Sequence, residues 1–158
     1  LDITLTVNGE ARRVEAAETM SLLEVLRNHL GLMGTRYGCG LEQCGCCTVL
    51  VDGAPAYACT REVGTVAGRT VTTIEGLGSA TDMHPLQQAF VDEQAGQCGY
   101  CLSGIIVSAK ALLDHNPRPS RADIVAALDR HLCRCGTHQR IIRAVQRAAE
   151  TLAGGRPS

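Results

Sequence analysis

Residues 38–49 read GCGLEQCGCCTV, and one more cysteine, Cys59, follows after a short gap. Taking Cys39, Cys44, Cys47 and Cys59, the spacing is C-x4-C-x2-C-x11-C, with Cys46 left over. The remaining cysteines form two tight pairs, Cys98/Cys101 and Cys133/Cys135, and residues 1–38, 60–97 and 136–158 contain none. All nine cysteines therefore crowd into three places. A disulfide framework would spread its bridges, because closing long loops removes more unfolded-state entropy. Near neighbours suit metal ligation, where several sulfurs must converge on one centre.

The first set has the spacing by which plant-type ferredoxins hold a [2Fe–2S] cluster. Gly38, Gly40 and Gly45 fit a loop that wraps such a centre, where backbone N–H groups approach sulfur closely. The four-ligand pattern is complete without Cys46, which reads as a small packed residue or an oxidation-sensitive spare thiol. The second set, C-x2-C-x31-C-x1-C, is less specific. Spacing alone leaves an iron–sulfur cluster, a four-thiolate zinc site and a dithiol redox pair open.

Outside the cysteines, residues 1–76 read as a small mixed β domain. Ile3, Leu5 and Val7 alternate with Thr4 and Thr6, Asn8-Gly9 is a hairpin pair, and Val14 begins a return strand. SLLE at 21–24 matches a capping box with Ser21 as N-cap. Leu22, Val25, Leu26 and Leu30 share one helical face, with a stop at Gly31. CTVLVDGAPAYAC gives two strands around Asp52-Gly53, and Thr70 to Ile74 a last strand. That order is a β-grasp sheet crossed by one helix. From residue 77 the period changes to helical. Pro85 opens a first helix and CGYC a second that ends near Asn116-Pro117. Ser120 with Asp123 opens a third running to Leu132, and Ile141 to Leu152 mark a fourth. The expected fold is α+β, with a ferredoxin-like domain over 1–76 and a four-helix-bundle domain over 77–158, and a disordered GGRPS tail.

Composition removes other classes. The net charge of -1 argues against a nucleic-acid binder working by bulk charge. No apolar run approaches the ~20 residues of a membrane span. Neither a nucleotide-binding glycine loop nor a nucleophile motif is present, and His29, His84, His115, His131 and His138 are scattered, which suits surface or packing roles. Arg140, Arg143 and Arg147 share a helical face that is either solvated or a docking face. The chain opens at Leu1 without a secretory-leader pattern, so a trimmed start and a reducing cytoplasmic compartment are expected, with any link to the inner membrane made through partners.

Both cysteine sets, in order, lie in stretches that resemble the iron–sulfur subunit of the molybdenum hydroxylases, the xanthine oxidase family. The stretches are ITLTVNG (3–9), YGCGLEQCGCCTV (37–49), Cys59, TTIEGL (72–77), HPLQQAF (84–90), QCGYC (97–101) and HLCRCGTHQRI (131–141). The resemblance implies two [2Fe–2S] clusters. Cys39, Cys44, Cys47 and Cys59 would hold an outer one near the electron acceptor. Cys98, Cys101, Cys133 and Cys135 would hold an inner one near molybdenum. It further implies that Gln97 and Cys135 contact the molybdopterin, in its cytosine dinucleotide form, on a large molybdenum-binding partner. The acceptor would be a flavin or cytochrome c-type subunit carrying FAD or haem. The CRCGTHQRI ending resembles the shorter isoquinoline-, nicotinate- and aldehyde-type hydroxylases. The implied role is electron transfer during hydroxylation of an N-heterocycle or aldehyde. A free two-cluster ferredoxin and a two-site zinc adaptor are the competing readings. Near-neutral charge favours a stable interface, apolar around Gln97 and Cys135, over a many-partner shuttle. Two positions depart from the family pattern: Cys46 stands where Ala is common, and Glu42 where Gly is common. Glu42 would lower the outer cluster's potential if it pointed inward.

Overall fold

The computed structural model describes residues 1–154, so residues 155–158 of the tail expected to be disordered lie outside the described residues. The chain is α+β. Strand β1 (Asp2–Val7) buries Ile3, Leu5 and Val7 on one face, as their alternation requires. Asn8 and Gly9 both take positive φ, 51° and 82°, the primed-turn geometry that matches strand twist. Asp52 and Gly53 repeat it at 49° and 82°. β2 (Glu10–Glu15) therefore starts before Val14, at the first residue the tight turn releases. β3 (Thr48–Val51), β4 (Ala54–Tyr57) and β5 (Thr70–Thr72) complete a sheet of order β2-β1-β5-β3-β4. β1 and β5 run parallel and the other pairs antiparallel.

Ser21 caps helix α1 (Leu22–Glu24), its hydroxyl accepting the Glu24 N–H at 3.2 Å. Only this half of the expected capping box forms. The helix then widens into a π-helical turn over Val25–His29, closed by the Leu30 N–H to the Val25 carbonyl at 3.0 Å. Val25 and Leu26 are fully buried there, under the sheet's inner face with Leu22, Val49 and Val71. The last strand stops at Thr72 rather than Ile74, because Ile74–Gly76 turns into a 3-10 helix leading to the second half.

Four helices follow: α2 (Pro85–Asp92), α3 (Leu102–His115), α4 (Arg121–Leu128) and α5 (His138–Leu152). Leu86, Phe90, Ile105, Ile124, Ile141 and Val145 share their core. Leu132 lies past the end of α4, exposed in the loop that carries the Cys133/Cys135 pair, and not on the helix's apolar face. On the arginine face of α5, Arg143 and Arg147 reach Glu93 at 3.6 and 3.2 Å, tying α5 to the C-terminal end of α2, while Arg140 and Arg143 stay exposed. β3 joins the two halves. All four of its residues are buried, because Leu50 points away from the sheet's own core onto Val107 and Ala111 of α3.

His84 caps α2 through Nδ1, which accepts the Leu86 N–H at 3.1 Å. Burial, with a smaller push from Lys110, holds its pKa below the ordinary 6.5. The unfolded chain then takes up this proton first as pH falls. The cap's contribution is complete above pH 6.5 and is lost as pH drops through the folded value. The melting temperature should accordingly decline below pH 6.5 less steeply in His84→Asn, which caps without titrating.

Candidate iron–sulfur centres

The loop between α1 and β3 turns its backbone toward sulfur. Cys39 Sγ accepts N–H bonds from Leu41, Gln43 and Cys44 at 3.3, 3.2 and 3.3 Å. Those donors, Leu41 and Gln43 foremost, bring the Cys39 thiol down to about 7. The Cys39 N–H points in turn at Cys44 Sγ, 3.4 Å away. Cys47 leads into β3 and Cys59 follows β4, so the Asp52-Gly53 hairpin sets the two side by side, close enough for the Cys59 thiol to act on Cys47. Burial pushes Cys47 up to about 12.

In the second half the N-terminal end of α3 carries Cys98 and Cys101, and the α4–α5 loop carries Cys133 and Cys135. The fold brings them together across the long intervening segment. Cys98 faces Cys135, and Cys101 faces Cys133. Burial pushes Cys101 up to about 12. Burial also raises Cys133, but the Thr137 N–H and hydroxyl outweigh it and bring the thiol to about 7. Each set thus pairs one easily ionised thiol with one that must release its proton on binding metal.

All nine cysteines are free thiols. Among the described residues no three His, Cys, Asp or Glu side chains converge on one point to hold a single ion. The sulfurs meet in pairs instead, and a two-iron cluster takes its thiolates two per iron. The donor set, the N–H groups aimed at Cys39 and Cys44, and the bare Gly38 beside Cys44 Sγ all suit such a cluster. A Cβ on Gly38 would lie 2.6 Å from that sulfur.

The other residues singled out in the sequence fall as follows. Gln97 is exposed in the loop before α3, next to exposed Cys98 and Tyr100 and on the same half as exposed Leu132. Cys46 is buried, its sulfur 3.3 Å from Cys44 Sγ and 3.4 Å from the Arg36 carbonyl. Glu42 turns outward and accepts a hydrogen bond from Thr60, so its charge is spent at the surface rather than aimed at the centre. His29, His115 and His138 are exposed. His131 is buried, with burial first and the Arg130 charge next lowering its pKa to about 4. Contacts between the halves were invisible in the sequence. The Tyr100 hydroxyl donates to the Tyr37 carbonyl, Arg130 lies 3.9 Å over the Tyr57 ring, and the Leu132 N–H donates to the Cys44 carbonyl at 3.0 Å. No periodicity reports them, since each joins loops far apart along the chain.

Residues 5–68 match the family described as the 2Fe-2S iron-sulfur cluster binding domain, and residues 73–146 the [2Fe-2S] binding domain. A nicotinate dehydrogenase subunit of Pseudomonas putida is 56% identical over 149 residues, covering 94% of this chain and 95% of that one. The alpha subunit of isoquinoline 1-oxidoreductase from Brevundimonas diminuta is 51% identical over 152 residues, covering 96% and 99%. The crystal structure of the aldehyde oxidoreductase from Desulfovibrio desulfuricans superimposes with a TM-score of 0.95 at 44% identity. It covers 98% of this chain, which spans only 17% of that longer one.

Proposed function

The chain belongs to the iron–sulfur subunits of the molybdenum hydroxylases, and from that premise we propose that it carries single electrons out of a molybdenum–pterin centre on a large partner subunit. It is a subunit of an oxidoreductase complex. The observation that carries the proposal is the folding of eight cysteines into two separate groups, one on each side of the contact between the halves. In this reading Cys39, Cys44, Cys47 and Cys59 hold the outer cluster, within a ferredoxin-like β-grasp domain over 1–76. Cys98, Cys101, Cys133 and Cys135 hold the inner one, within a helical-bundle domain over 77–158. The separate hydrophobic cores of the two halves support that division. Each cluster would supply a one-electron carrier whose potential is tuned by hydrogen bonds to sulfur and by burial, plant-type clusters lying near roughly −400 mV.

The chain's own residues supply spacing and contact. Gln97 and Cys98 are exposed, so the inner loop is open to a partner surface, and Gln97 with Cys135 would touch the pterin, taken as the cytosine dinucleotide. The outer loop exposes Tyr37 and Leu41, where a flavin- or haem-bearing acceptor would dock. The names of the relatives, nicotinate dehydrogenase and isoquinoline 1-oxidoreductase, support an N-heterocycle as substrate of the whole complex, and that of the aldehyde oxidoreductase supports an aldehyde. Nine free thiols fit a reducing, cytoplasmic compartment, and no described helix is long and apolar enough to cross a membrane.

The test is purification of the native complex, with metal analysis and spectra before and after dithionite. The expected result is a brown protein with about four irons per chain, two distinguishable rhombic EPR signals on reduction, and a molybdenum-bearing partner in fixed proportion. A colourless zinc protein would replace this reading with a structural adaptor. A two-cluster protein that never associates with molybdenum would make it a free ferredoxin.

A further inference from the structure

We propose that the buried Cys46 thiol donates a hydrogen bond to the Cys44 sulfur and thereby raises the potential of the outer cluster. Cys46 acts through Cys44, as a positioning residue. The inference rests on the function proposed above, in which Cys44 is an outer ligand. The two sulfurs lie 3.3 Å apart. That is inside the ~3.5–4.0 Å at which non-bonded heavy atoms rest, and a proton between them accounts for the approach. While both are thiols, either sulfur can own that proton. Once Cys44 binds metal it is a thiolate with no proton to give, and Cys46 becomes the donor.

Cys46 has a second acceptor in reach, the Arg36 carbonyl at 3.4 Å. One S–H cannot serve both. The ionised sulfur wins, because hydrogen bonds to a charged acceptor are roughly twice as strong as neutral ones. Arg36 lies in an exposed stretch, where water can serve its carbonyl instead. The fold holds the donor in place from two sides. The Arg36 N–H donates to the Cys46 carbonyl at 3.3 Å. On α3, a Cβ on Gly104 would lie 3.0 Å from Cys46 Cα, so the bare glycine lets the helix press on this residue. The burial of Cys46 keeps bulk water from competing for its proton. Cys44 Sγ is also the sulfur with room for a donor. Cys39 Sγ already accepts three N–H groups, whereas among the described residues Cys44 Sγ takes one, from Cys39 at 3.4 Å.

Reduction of the cluster adds one electron, and part of its charge spreads onto the ligand sulfurs. A donor at Cys44 therefore stabilises the reduced form more than the oxidised form, and the potential rises. The proton stays on Cys46 throughout, and no bond forms or breaks. A raised outer potential draws electrons outward from the inner cluster, toward the acceptor.

The test uses the full chain loaded with both clusters. With eight of the nine cysteines bound to iron, Cys46 carries the one remaining S–H, so its infrared stretch stands alone. That band should move to lower frequency when the outer cluster is reduced, and vanish in Cys46→Ala. Redox titration followed by EPR should place the outer midpoint lower in Cys46→Ala, with the inner midpoint unchanged. Cys46→Ser keeps a donor and should win back most of the loss. A band that stays still on reduction overturns the hydrogen bond. An unchanged outer midpoint in Cys46→Ala overturns the tuning. Equal losses in the Ala and Ser variants assign the effect to packing and overturn the donor role. Should Cys46→Ala fail to load the outer site, the S–H band of the unaltered chain decides alone. Several S–H bands, or fewer than two cluster signals, in the unaltered chain would instead remove the ligand assignment, and the tuning with it.

Discussion

Cys98→Ala is expected to remove the inner cluster and leave the outer one. Cys98 is exposed, so truncating it opens no cavity in the helical core. Iron should fall from about four to about two atoms per chain, and one of the two EPR signals should vanish. In the assembled complex, substrate should still reduce the molybdenum centre once, because that chemistry lies on another subunit, while steady-state turnover falls to background. The two phases separate in a stopped-flow trace with and without acceptor. Undiminished turnover would mean that electrons leave by another route, and the relay would be wrong.

Gly38→Ala should strike the outer centre as hard. A Cβ there would stand 2.6 Å from both Cys44 Sγ and Cys46 Sγ. Carbon–sulfur contacts inside the usual ~3.5–4.0 Å of non-bonded atoms are repulsive. Neither sulfur has room to retreat. Cys44 would be held by iron, and Cys46 is only 3% exposed. Overpacking of this kind costs about 1–3 kcal/mol in a core. Here it acts on a cluster loop, so the loss should appear as failure to load iron rather than as global unfolding. Iron content and the outer EPR signal, measured with the inner signal as internal standard, check this. Adding Cys46→Ala removes one of the two clashing sulfurs and should restore part of the loading. Full loading in the single variant would show that the loop is looser than its geometry implies.

The ninth cysteine shows where sequence reading stops. Spacing makes Cys46 redundant as a ligand, and burial agrees that it is a packed thiol. Its contact with Cys44 Sγ, and the bare Gly38 that makes room for both sulfurs, appear only in three dimensions. Glu42 teaches the same lesson from the other side. Its charge beside the loop was legible, but its direction was not, because a left-handed backbone at φ 59° turns it out toward Thr60. Likewise the α5 arginines have the period of a surface face, and only the approach of α2 shows that Glu93 answers Arg143 and Arg147.

By itself the sequence determined the tight cysteine spacings within each loop, the strand–turn–strand units around Asn8-Gly9 and Asp52-Gly53, and the helix starts at Ser21, Pro85 and Ser120. All of these depend on residues a few positions apart, where spacing fixes geometry. The tertiary structure alone decided that β3 is buried on both faces, that the Cys98/Cys101 pair meets Cys133/Cys135, and that Leu132 touches Cys44. Those depend on which apolar faces pack together, and on glycines at the closest approach. An apolar period records that a face is buried and carries no information about what it is buried against.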